Sequence, residues 1–341
     1  RGAVPTRFGN RKPPSAAYAT LSPVFFYDAD EDLFVGGSFW DGRATGERLG
    51  NPAADQALGP FLNPVEQNNA SKEAVCVQVA DSDYVGLYEA VWGEGPDCES
   101  VLGVEIMYDR IGLSIAAYEN SAEVNQYSSE YDAFLAGDAQ LSDEEAMGLA
   151  LFEGAANCSA CHPTGAASAF TDFTYDNLGI PRNPENPFYD MEEEYLDDGS
   201  PINPLGIAWV DFGLGGFLAT RPELADKVAA NLGKHKVPTM RNTASGSGIG
   251  LPKAFGHNGY FKSLKGIVHF YNTRDVKPAC PYAFTTEKDA MAMNCWPEAE
   301  VPINVNDAEL GNLGLTDAEE DAIVAFLETL TDTVKVKKKV K

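Results

Sequence analysis

Cys158-Ser159-Ala160-Cys161-His162 constrains this chain of 341 residues more than any other stretch of its sequence. Two thiols separated by two residues, with an imidazole directly after the second, are the attachment sequence for haem c. The thiols add across the two vinyl groups and the His reaches the iron as proximal ligand. A dithiol redox pair or half a zinc site would also begin Cys-x-x-Cys. No second such pair follows, however, and the appended His suits neither. The motif therefore predicts a domain that wraps a flat, covalently held macrocycle. Pro163 fits that picture, because it stops a helix from simply continuing through the motif.

The remaining cysteines fall into two local pairs, Cys76 with Cys98 and Cys280 with Cys295. Haem c attachment and disulfides share an oxidising compartment, so both pairs read as disulfides and the protein as periplasmic or extracellular. The 25 basic and 51 acidic residues leave a formal charge of -26. That excess repels nucleic acid phosphate and anionic lipid, which excludes nucleic acid as a partner. There is no run of about 18 uncharged apolar residues, so no membrane-spanning helix is expected. The start Arg1-Gly2-Ala3-Val4-Pro5 has neither Met nor an apolar leader and reads as a mature or trimmed end. Lys335, Lys337, Lys338, Lys339 and Lys341 crowd the last seven residues and read as a solvated tail.

Hydrophobic periodicity gives a fold class that is mainly α with extensive loops. The first hundred residues, rich in Pro, Gly and Asn, predict ordered loops joined by short helices. Ile111, Ile115 and Tyr118 share one helical face, which predicts a helix through the 110s that extends toward Tyr131 and Phe134 before Gly137 and Asp138 break it. Ser142 with Glu145 forms a capping box for a helix that runs through Met147 and Leu151 to Gly154 and delivers the haem motif. This junction divides the chain into residues 1–138 and 139–341. Residues 163–222 return to loop character, with seven prolines and an acidic stretch, Asp190 to Asp198, that reads as a solvated face. Ser263 caps a helix bearing Leu264, Ile267, Val268 and Tyr271 on one face. Thr316 and Glu319 cap another, bearing Ile323, Phe326, Leu327 and Leu330.

Several stretches then fall in one order: Asn10-Arg11-Lys12-Pro13-Pro14-Ser15, Phe39-Trp40-Asp41-Gly42-Arg43-Ala44, Asn63-Pro64-Val65-Glu66, the haem motif, Val237-Pro238-Thr239-Met240-Arg241-Asn242, and His257-Asn258-Gly259. Together they resemble the bacterial di-haem cytochrome c peroxidase and MauG family, across nearly the whole chain. The resemblance implies two cytochrome c-like domains, with an N-terminal haem that handles peroxide and a C-terminal haem, here on His162, that accepts or stores electrons. This chain holds a single Cys-x-x-Cys-His, and the family's first haem motif would lie ahead of its start. Either that segment is missing from this chain, which is the favoured reading, or the protein carries one haem.

The resemblance also assigns roles. Gln56, Pro60 and Glu66 match the distal peroxide pocket, where the carboxylate shuttles a proton between the two peroxide oxygens. Read alone, Glu66 is a surface or helix-start carboxylate. Trp40 matches the tryptophan that relays electrons between the haems. Arg241 and His257 match residues near the propionates and the domain interface, where an Arg fork can pair with a carboxylate. The family's interdomain calcium uses an Asn where this chain has Lys12, and an ammonium cannot ligate calcium, so that site is in doubt.

Counted from His257-Asn258-Gly259, Tyr271 falls where peroxidases place an axial Met and the MauG branch places a Tyr. Periodicity alone reads it as a core tyrosine. As a ligand, a phenolate would favour ferric and higher-valent iron. The leading expectation is thus a haem c enzyme that uses hydrogen peroxide or stored oxidising equivalents and exchanges electrons with a donor or acceptor protein. Two rivals remain: a plain electron carrier with an axial Met such as Met240, and a subunit of a homo-oligomeric or multi-haem assembly.

Overall fold

The computed structural model describes residues 2–245 and 254–333; the lysine-rich tail lies outside them. Among the described residues, the α-helices of six residues or more are α1 (Pro52–Ala57), α2 (Lys72–Ala80), α3 (Val85–Trp92), α4 (Val101–Glu119), α5 (Glu130–Leu135), α6 (Asp143–Glu153), α7 (Gly213–Leu218), α8 (Leu264–Thr273), α9 (Glu287–Met293) and α10 (Asp317–Glu328). Among the described residues, strand is confined to two small antiparallel pairs, β1 (Phe26–Asp28) with β2 (Leu33–Val35) and β3 (Tyr175–Asp176) with β4 (His235–Lys236). Both expected disulfides, Cys76–Cys98 and Cys280–Cys295, are formed.

The capping chemistry is where the sequence places it. Ser142 and Glu145 make a reciprocal box at α6, Thr316 and Glu319 another at α10, and Ser263 accepts from the Gly266 amide at α8. Helices α6 and α10 pack so closely that a β-carbon on Gly148 would sit 1.9 Å from the Ala322 carbonyl oxygen. Around this contact Tyr131, Phe152, Phe170, Ile323, Phe326, Leu327 and Leu330 form the main core. Phe326 meets the Phe152 and Tyr131 rings edge-on at 5.2 and 5.5 Å. Tyr131 belongs to α5, so the packing unit around the haem motif reaches back across residue 138, ahead of the boundary that sequence suggests.

Helix α4 departs from expectation in two ways. Its buried side is Gly103, Met107, Tyr108, Gly112 and Ala116, whereas Tyr118 is 56% exposed. The small residues decide this. Gly112 lies against the Ala54 carbonyl and Leu58, and Ala116 packs on Ala53 and Ala54, so α1 can approach only along the stripe that lacks large side chains. The Tyr108 hydroxyl then donates to the Leu58 carbonyl at 2.6 Å. The helix also stops at Asn120 instead of reaching Tyr131, and Ser129 with Asp132 caps a fresh helix, α5.

Candidate haem site

Helix α6 ends at Gly154, and the Cys158–Ala160 turn follows as a single 3-10 turn with Asn157 in the left-handed region at φ 51°. Cys158 and Cys161 are unbridged, and burial pushes both thiols up to about 12. A dithiol redox pair needs the opposite shift, toward the thiolate. His162 Nδ1 lies 2.7 Å from the Phe170 carbonyl oxygen. A carbonyl can only accept, so the neutral ring carries its proton on Nδ1 and keeps the Nε2 lone pair for a metal. Burial lowers the His162 pKa, which favours that neutral form.

These residues line a cavity of about 1650 Å³, well above the ~300–1,000 Å³ of ordinary small-ligand pockets. One wall of the cavity is the face of α8 carrying Leu264, Ile267, Val268 and Tyr271, which is the face that periodicity selects. The Tyr271 hydroxyl has no hydrogen-bond partner among the described residues, and burial raises its pKa, so the phenol stays neutral unless a cation draws off its proton. Two thiols, a proximal imidazole with a free Nε2 and an apolar slot bounded by α8 fit a covalent haem c.

The other wall comes from the N-terminal loops, and it brings together the remaining expected residues. Gln56 is presented by α1, which Asn51 caps through the Ala53 amide. Glu66 sits in a turn whose amide donates to the Asn63 carbonyl, and its Oε2 accepts from Asn63 Nδ2 at 2.7 Å. Gln56, Pro60, Glu66 and Trp40 all line the same cavity as His162. Trp40 is 8% exposed. Its Nε1 donates to the Lys12 carbonyl at 2.7 Å, and Lys12 in turn donates its amide to the His257 carbonyl.

Arg241 also lines the cavity. It is fully buried, and its two Nη atoms each donate to Asp132 at 2.9 Å while Nε donates to the Ser168 carbonyl. The guanidinium also lies over Tyr127 and Tyr18. Its fork is paired with Asp132.

His257 lines the cavity too. Its ring stacks on His235, with centroids 3.6 Å apart and planes 9° from parallel, and its Nε2 is shielded and unpaired. Burial, helped by neighbouring His235, lowers the His257 pKa to about 4. Two cavity residues were not legible in sequence. Lys236 donates to Ser22 Oγ and the Gly36 carbonyl, and Glu119, at the end of α4, lines the cavity with its carboxyl raised by burial. Neither belongs to a recognisable motif, so only the folded chain brings them to the wall.

The fold and this site define a c-type haem oxidoreductase. The sequence pattern of the di-haem cytochrome c peroxidases matches residues 2–140. The methylamine utilization protein MauG of Paracoccus denitrificans is 33% identical over 336 residues, covering 95% of this chain and 75% of the relative. A cytochrome c peroxidase of Denitromonas iodatirespirans, IdrP1, is 28% identical over 225 residues, 64% of this chain and 49% of its own. The solved di-haem peroxidase BthA from Burkholderia thailandensis superposes with a TM-score of 0.71 at 30% identity, covering 98% of this chain and 75% of that one. The chain belongs to the di-haem cytochrome c peroxidase and MauG family, and it is an oxidoreductase of the haem c peroxidase type.

Proposed function

We propose that this protein uses hydrogen peroxide as oxidant in the periplasm and exchanges electrons with a partner protein through a haem that Cys158, Cys161, His162 and Tyr271 would hold. One observation carries the reading. A single cavity holds the free Nε2 of His162, the unbonded hydroxyl of Tyr271 and, on the loop wall, Glu66 beside Gln56. A haem held against the Glu66 wall, where the family carries its N-terminal haem, would supply the electrons for O–O cleavage, and the haem on His162 would store or pass on oxidising equivalents. Glu66 takes a proton from one peroxide oxygen and returns it to the other through its carboxylate, while the Gln56 amide orients the peroxide. Trp40, held by Lys12, lines the same cavity and would act as the electron relay. No helix among the described residues is long and apolar enough to cross a membrane.

Met240, the ligand that a plain electron carrier would need, is poorly placed. Its amide donates to the same Phe170 carbonyl that meets His162 Nδ1, so its backbone lies beside His162 and not across the cavity from it. Tyr271→Met tests the assignment, because a thioether raises the haem potential relative to a phenolate. Redox titration should show a clear rise together with a sulfur-ligated ferric spectrum. An unchanged potential and spectrum would remove Tyr271 from the iron.

A further inference from the structure

Of the described residues that line the haem cavity, the aromatic side chains a one-electron oxidant can attack are Trp40, Tyr271 and Tyr18. Their hydrogen bonds set them apart. Trp40 Nε1 donates to the Lys12 carbonyl, which is too weak a base to take a proton, and the Tyr271 hydroxyl has no partner among the described residues. Tyr18, only 1% exposed, directs its hydroxyl at a carboxylate. It donates to Asp332 Oδ2 at 2.7 Å and accepts the Tyr127 amide at 3.0 Å.

The backbone that presents Tyr18 is strained. Its φ of 64° lies in the left-handed region, an outlier for a bulky side chain, and such outliers persist only where the surroundings enforce them. Here the Tyr18 amide is tied to Asn125 Oδ1 at 2.6 Å. Asp332 is fixed as firmly, accepting the Ser128 amide on Oδ1 and Asn242 Nδ2 on Oδ2, each at 2.9 Å. It is half-buried, so a proton placed on it has a way out to water. The Arg241 guanidinium lies 5.0 Å from the centre of the Tyr18 ring and 4.5 Å from that of Tyr127. A cation over a ring opposes further positive charge in that ring, so loss of an electron from Tyr18 has to be coupled to loss of its proton. Burial, together with the Asp332 bond, raises the Tyr18 pKa, and the phenol keeps its proton until it is oxidised.

We infer that Tyr18 and Asp332 form a proton-coupled redox site that holds one oxidising equivalent on the protein, an inference that rests on the peroxide chemistry proposed above. The Tyr18 phenol gives one electron to the peroxide-oxidised haem and its hydroxyl proton to Asp332 Oδ2. The O–H bond breaks, a neutral phenoxyl remains, and the carboxylate becomes a carboxylic acid. One electron from the donor protein and the proton held on Asp332 then restore the phenol. The short Tyr18–Asp332 bond sets the path of that proton in advance, because donor and acceptor are already in contact before the electron leaves.

Haem-loaded full-length protein mixed with an equivalent of hydrogen peroxide and freeze-quenched should show a tyrosyl radical by electron paramagnetic resonance, identified by the narrowing that ring-deuterated tyrosine produces. Tyr18→Phe keeps a ring beneath Arg241 and should abolish that signal while the haem spectrum still responds to peroxide. Asp332→Asn removes the proton acceptor and should slow the rise of the signal about a hundredfold, the usual share of a general base. In unmutated protein the same rise should slow in heavy water. A bracing role alone would lower the denaturant midpoint in both variants and leave the radical in place. Flash-generated tris(bipyridine)ruthenium(III) supplies an oxidant without peroxide, so the two readings fail separately. A haem spectrum indifferent to peroxide removes the peroxide chemistry, whereas a Tyr18 radical after the flash still supports the site. No tyrosyl signal with either oxidant, a signal that survives Tyr18→Phe, or a rise unchanged in Asp332→Asn would overturn it.

Discussion

The two walls of the haem cavity are built on different principles. The wall carrying His162 and Tyr271 is helical: α6, α8 and α10 begin at side-chain caps and close on an aromatic core through the Gly148–Ala322 contact. The wall carrying Trp40 and Glu66 is mostly loop, fixed by individual polar bonds such as Trp40 Nε1 to the Lys12 carbonyl and Arg11 to Asp41 and Asp211. A helical wall spreads its stability over many dispersion contacts, while a loop wall concentrates it in a few buried ion pairs whose loss is costly. Rigidity at the proximal side and individually placed groups at the peroxide side are what the proposed chemistry asks of each.

The largest expected effect lies where the two walls meet. Asp132 on α5 holds the buried Arg241, and although burial alone would raise its carboxyl, the Arg241 and Ser129 hydrogen bonds hold it below the ordinary value. Asp132→Ala strands a buried guanidinium, which costs about 3–5 kcal/mol, read as a lower denaturant midpoint. The sign with pH follows from the depressed pKa. The contribution is full above the ordinary carboxylate value near 4 and disappears as pH falls through the folded-state value. The gap between wild type and variant should close in acid. Unchanged stability with a shifted haem potential would instead return Arg241 to the propionates.

That example also shows what sequence could convey. Cys158, Cys161, His162, the caps at Ser142, Ser263 and Thr316 and the α8 face were legible because each is a local pattern tied to one physical cause. The commitment of Arg241 to Asp132 was not, because those residues are 109 positions apart and only the fold brings them together. The same holds for the clustering of Asp211, His235 and His257, which come from separate stretches of chain. The buried stripe of α4 was misread because glycine and alanine carry no hydrophobic signal, yet they decide how closely α1 approaches.

Next in size is the test of the loop wall. Glu66→Gln should lower peroxide turnover about a hundredfold, the usual contribution of a general acid–base group, while leaving the haem spectrum and the denaturant midpoint in place. Glu119→Gln sharpens the comparison, since Glu119 lines the same cavity with a carboxyl raised by burial. Retained turnover in Glu66→Gln alongside a loss in Glu119→Gln would move the proton shuttle to α4.

The smallest effect belongs to the helical wall and should be the mirror image of the last. Thr316 accepts the Glu319 amide at 3.3 Å and returns its own amide to the Glu319 carboxylate at 2.7 Å, satisfying two donors at the start of α10. Thr316→Ala removes the side-chain acceptor and keeps the backbone donor, so the loss should be about 1 kcal/mol, the usual cost of an N-cap. Because α10 supplies Ile323, Phe326 and Leu327 to the core and no residue to the proposed proton shuttle, the midpoint should fall while turnover per haem holds. Glu66→Gln is expected to show the reverse pattern. If Thr316→Ala reduced turnover as much as stability, fraying of α10 would be reaching the haem through Ile323 and Leu327, which line the cavity, and the two walls could no longer be treated as independent.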